Sequence, residues 1–88
     1  RAPKEPVSVG DPEKAVQYMK RAVAVAPDYP ANQFFLAEAY VADERYSEAE
    51  SALATARKLL ADPKWDARRT SWRELLSRVE RKLKAKQN

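Results

Sequence analysis

The chain has 88 residues, 44% hydrophobic and 34% charged, with a formal net charge of +4. That is room for one domain with a thin core, because a chain this short buries only about 60 to 65% of the surface its unfolded form exposes. Glycine occurs once and cysteine and histidine not at all, which disfavours an all-β fold with many positive-φ turns and excludes a Cys/His zinc site, a thiolate nucleophile and a Ser-His-Asp relay.

No apolar run approaches the roughly 20 residues that span a bilayer. The chain opens on Arg1, with neither an initiator Met nor an apolar signal stretch, so a fragment or a processed form is expected, and periplasm and cytoplasm both stay open.

Residues 1–10 hold Pro3, Pro6 and the single glycine, Gly10, without a helical period, and are expected to form an extended leader. Asp11-Pro12-Glu13 then reads as a helix start: Asp caps, Pro suits the first helical position, and Glu favours the positive end of the dipole. Val16, Met19, Ala22, Val23 and Ala26 follow at spacings of three and four, one apolar stripe on a helix ending before Pro27.

A turn at Asp28-Tyr29-Pro30 leads into a second helix over about 31–43, marked by Phe34, Leu36, Ala37, Tyr40 and Val41. Ser47-Glu48-Ala49-Glu50 fits a capping box, with Ser47 expected to cap a third helix carrying Ala49, Ala52, Leu53, Ala56, Leu59 and Leu60. Asp62-Pro63 ends it or opens the next element. A fourth and longest helix is expected from about Asp66, with Trp72, Leu75, Leu76, Val79 and Leu83 on one stripe.

The chain repeats itself. Ala15, Met19 and Ala22 recur as Ala49, Leu53 and Ala56, each pair 34 residues apart. Where two antiparallel helices cross closely a small residue must face a large one, so this spacing marks a tight crossing. Such a unit cannot bury its apolar face alone and needs neighbours stacked on it.

On these residues the chain resembles the tetratricopeptide repeat. Gln33-x2-Leu36-Ala37-x2-Tyr40 stands where the first helix motif falls and Ala49-x3-Leu53-x2-Ala56 where the second falls, preceded by the half-motif Ala15-x3-Met19-x2-Ala22 with Pro27 at the closing proline. Gln33 replaces the usual Trp, Ala37 the Gly and Ala61 the closing Pro. The resemblance implies an all-α, short antiparallel αα-hairpin solenoid: a half repeat over 11–29, a full repeat over 30–63 and a C-terminal capping helix over 64–88. More loosely, the phrase from Gly10 to Pro30 followed by a Trp-bearing terminal helix is similar to bacterial exported repeat proteins, including transporter accessory components of the TatT type.

The family mostly binds peptides or proteins on a concave face, so the resemblance implies a protein or peptide partner and no cofactor. By its register the groove would be lined by Ala31, Phe34, Glu38, Val41 and Ala42. Phe34 is the candidate anchor; the alternative is that Phe34 and Phe35 pack against neighbouring helices. Glu38 stands where carboxylate-clamping members carry Asn, which argues against that specificity. Self-association is also expected, because the face of the first helix that would meet a preceding helix is uncovered.

Residues 64–88 hold nine Lys or Arg against three acids, a net of +6, while residues 1–63 have a net of −2. A basic face of Arg68, Arg69, Arg73, Arg78, Arg81 and Lys82 could bind nucleic acid or an anionic membrane. The favoured reading is a solvated cap, with the pairs Glu74 and Arg78, and Glu80 and Lys84, neutralising part of the charge; a specific acidic protein partner is the third reading. Trp65 and Trp72, seven apart, are expected on the inner face. Asp62, Asp66, Glu48 and Glu50 are expected to be surface carboxylates rather than an acid and base pair, and no enzyme activity is expected.

Overall fold

The structure, a computed structural model, describes residues 11–87. The expected leader over 1–10 lies outside the described residues. Among those described, four α-helices and one 3-10 segment follow one another: α1 (Pro12–Val25), α2 (Pro30–Ala42), α3 (Tyr46–Leu60), the 3-10 segment Pro63–Arg68, and α4 (Arg69–Gln87). The fold is an all-α, short antiparallel helical solenoid closed by a terminal helix.

α1 starts as its residues dictate. The Asp11 carboxylate accepts from the Lys14 amide at 3.2 Å, Pro12 occupies the first turn and Glu13 follows it. Ala15 and Val16 are buried against α2, with Met19 and Val23 packed beside them. The Asn32 side-chain amide donates back to the carbonyls of Ala22 at 3.2 Å and Ala26 at 3.5 Å, which satisfies the open end of α1 and fixes the hairpin angle.

α2 is the centre of the molecule. Pro30, Ala31, Gln33, Phe34, Leu36, Ala37, Ala39, Tyr40 and Val41 are all buried, because α1, α3 and α4 each cover a side of it. A helix apolar around most of its circumference is stable only when enclosed in this way.

α2 ends in a Schellman closure. The Glu44 amide bonds the Val41 carbonyl at 3.0 Å and the Arg45 amide bonds that of Tyr40 at 2.8 Å, with Glu44 at φ 62°. This closure corrects the expected capping box. Once Arg45 is bound to α2, α3 starts at Tyr46, with Arg45 at its N-cap and no side-chain cap, and the Ala49 amide bonds the Arg45 carbonyl at 3.0 Å. Ser47 therefore lies inside the first turn and caps nothing. Arg45 pairs instead with Asp43 at 3.1 Å and Glu48 at 3.8 Å.

α2 and α3 cross on small residues: Ala37, Ala49 and Ala56 have no exposed surface, and Leu53 fills the space beside them. The last helix starts later than expected. Asp62 accepts from the Lys64 amide at 3.0 Å and caps a 3-10 segment running to Arg68, so α4 opens at Arg69 rather than Asp66. Arg69 ties this corner to α3, donating to the carbonyls of Leu60 at 2.8 Å and Asp62 at 3.1 Å.

Two apolar clusters result. In one, Val79 and Leu83 of α4 join Val16, Leu36, Val41 and Leu53. In the other, Trp72 joins Ala31, Phe34, Ala56 and Leu60, with Tyr29 and Trp65 packed against it. The rings of Tyr29, Trp65 and Trp72 meet edge to face, with centroids 5.2 to 5.7 Å apart.

Candidate functional site

α1 and α2 run antiparallel, and small residues on their outward edges leave a hollow between them. Ala15 of α1 and Ala39 and Ala42 of α2 form the floor, Tyr18, Met19 and Phe35 form apolar walls, and Glu38 with Lys82 of α4 closes one end. The volume is about 590 Å³, within the range of ~300 to 1,000 Å³ common for ligand sites. Tyr18 is 68% exposed and Phe35 40%, so two rings stand in water where most apolar side chains of their size are covered.

The charged end is held from α4. The Lys82 Nζ donates to Glu38 Oε2 at 2.5 Å, and Arg78 Nη2 lies 3.7 Å from the same oxygen. Glu38 is thus pinned by two cations one turn apart on a separate helix.

The residues assigned to the groove by repeat register divide between surface and core. Glu38 and Ala42 line the cleft. Phe34 has no exposed surface, Val41 is 3% exposed and Ala31 9%, so these three are core residues and cannot line an open groove. The reason is α4: it lies along that face of α2 to bury Trp72, Val79 and Leu83, and so covers the surface that register leaves open. Phe34 packs, and Phe35 does not. Adjacent residues on a helix point about 100° apart, so the face left uncovered belongs to Phe35, with Tyr18, Met19 and Lys82 beside it. A pair of consecutive phenylalanines was the available signal, since one neighbouring helix can cover only one of them.

The six cations assigned to a basic face are drawn into different contacts. Arg68 sits over the Trp72 ring at 5.7 Å and reaches the Tyr29 hydroxyl at 3.5 Å. Arg69 is bound to the α3 carbonyls and pairs with Asp66 at 2.5 Å. Arg78 and Lys82 converge on Glu38, while Arg73 and Arg81 lie on a shallow surface with Thr70, Glu74 and Ser77. The expected pairs within α4 give way to pairs between helices, because Glu80 bonds Arg57 of α3 at 2.8 Å and Arg78 turns to Glu38. Among the described residues no group of three or more acidic side chains is placed to hold a metal ion, and no helix is long and apolar enough to cross a membrane.

Comparison with known proteins gives the same architecture. The tetratricopeptide repeat family model matches residues 7–70, from ahead of α1 to the first turn of α4. No curated protein and no solved structure is matched by the chain. With the repeat alanines at the helix crossings and the family pattern over most of its length, the chain belongs to the tetratricopeptide repeat family.

Proposed function

We propose that this chain is a non-enzymatic interaction module that binds a peptide segment of a partner protein in the cleft between α1 and α2. Tetratricopeptide repeats in general mediate protein–protein contacts and typically act as scaffolds. The observation that carries the reading for this chain is the pair Tyr18 and Phe35, standing 68% and 40% exposed on either side of an alanine floor. Exposed aromatics flanking a small-residue floor present a large apolar contact with little side-chain entropy to lose.

The experiment is selection of binders from a random 12-residue peptide library on the full chain, followed by anisotropy titration. Phe35→Asp is expected to weaken the selected peptides at least about tenfold, as loss of a central aromatic contact does, while leaving the helical circular dichroism intact. Binders indifferent to both Phe35→Asp and Tyr18→Asp would overturn the proposal.

Self-association through the same face is a second reading, favoured by Val25, which is 86% exposed on α1. It would show as concentration-dependent sedimentation abolished by the same substitutions. Electrostatic binding of nucleic acid or an anionic membrane by α4 has less support, since Arg68 and Arg69 are engaged within the fold and Arg78 and Lys82 converge on Glu38 at the cleft.

A further inference from the structure

The charged end of the cleft is not balanced. Lys82 and Arg78 share one carboxylate oxygen, Glu38 Oε2, and Glu38 is the one acidic residue among those lining the cleft. A lysine ammonium offers three N–H donors and a guanidinium five, so a single oxygen uses a small part of them. The side chains of Lys82 and Arg78 are each 51% exposed and that of Glu38 27%, so both cations reach water more than the carboxylate they share; Lys82 lines the cleft and Arg78 stands beside it through Glu38. Two cations against one carboxylate leave one positive charge beside an apolar hollow.

From this we infer what the cleft takes, an inference that rests on the peptide-binding reading: its ligand is an acidic segment of a partner protein that seats a bulky apolar side chain between Tyr18 and Phe35 and sets a carboxylate against Lys82 and Arg78. Three alanines in the floor leave room for the apolar side chain. One carboxylate neutralises the surplus, whereas a phosphate, at nearly two charges, would exceed it. Phe35 and Glu38 are three apart on α2 and so about 5 to 6 Å from each other. The acid of the ligand therefore falls within four residues of its apolar anchor. The ion pair acts at the rim, where it sets selectivity and encounter rate while the apolar contact supplies most of the affinity.

The test is to run the random-peptide selection in parallel on the full chain and on Lys82→Glu. Wild-type binders are expected to carry Asp or Glu within four residues of Leu, Ile, Phe or Met. They should weaken about two- to fivefold when that acid becomes its amide, and that difference should shrink in about 0.5 M salt. Lys82→Glu should select Lys or Arg at the same place. Should Lys82→Glu lose helicity, Lys82→Met serves, and in it the penalty for the amide should fall. Binders that are lost on Phe35→Asp yet indifferent to the exchange of acid for amide would overturn the acidic specificity and leave peptide binding standing. Failure to obtain any binder sensitive to Phe35→Asp or Tyr18→Asp would overturn both.

Discussion

Glu44 holds a left-handed backbone, φ 62°, at the position that helix closures usually give to glycine. A side chain with a Cβ is strained there by about 1 to 2 kcal/mol, and glycine would remove that strain at an entropic cost of about 0.5 to 1 kcal/mol. Glu44→Gly is therefore expected to stabilise the protein by about 0.5 to 1 kcal/mol, read from the midpoint of urea unfolding with an unchanged slope. A loss of stability would mean that the Glu44 side chain contributes more than its backbone costs. The chain contains a single glycine, Gly10, and it lies outside the described residues; the turn after α2 is made by hydrogen bonds and by Arg45, whose guanidinium lies 5.8 Å from the centre of the Tyr40 ring. Asn32 works at the same scale, stitching the end of α1 to the start of α2. Neither role is visible in composition, because each depends on which carbonyl comes within reach once the helices have met.

At the scale of elements, α2 and α3 approach as closely as they do because Ala37, Ala49 and Ala56 have no side chain beyond Cβ. Ala49 and Ala56 sit 34 residues beyond Ala15 and Ala22, so their part in the tight crossing was legible in the sequence. Ala49→Leu is expected to force the helices apart and to destabilise by about 1 to 3 kcal/mol, measured by denaturant unfolding. A neutral result would mean that the crossing lies elsewhere on α3. The start of α3 was less legible. Ser47 and Glu50 match a capping box in residue type and spacing, yet the closure of α2 places the helix start at Tyr46, and the local motif yields to it. The same competition moves the start of α4 to Arg69, since Asp62 caps the 3-10 segment first.

At the scale of the molecule, contacts between distant segments close the solenoid. Lys64 of the 3-10 segment bonds Asp28 of the α1–α2 turn at 3.1 Å, and this hydrogen bond, with the attraction between the charges, holds the Asp28 carboxyl below its ordinary value of 3.8. A carboxylate with a depressed folded pKa contributes stability above its unfolded value and loses that contribution as pH falls through its folded value. The Asp28 carboxyl resonance is thus expected to titrate below 3.8 in the native protein and to move up toward 3.8 in Lys64→Met, followed by carbon-detected NMR. An unchanged titration would show that the contact does not persist in solution, and screening by salt should act in the same direction as the substitution.

Helix period, proline-marked ends and the 34-residue spacing of small residues are local properties, and they alone determined that this chain is an all-α repeat with a basic terminal helix. Which face of α2 meets water is not local. It depends on where α4 docks, and α4 docks where Trp72, Val79 and Leu83 can be buried, over Phe34 and Val41. That single docking event makes the candidate anchor Phe34 a core residue, leaves Phe35 and Tyr18 exposed, and brings Lys82 and Arg78 to Glu38, 44 and 40 residues away in the chain. The tertiary structure therefore decided the site, because burial and charge pairing are set by helices distant in sequence that compete for the same surface.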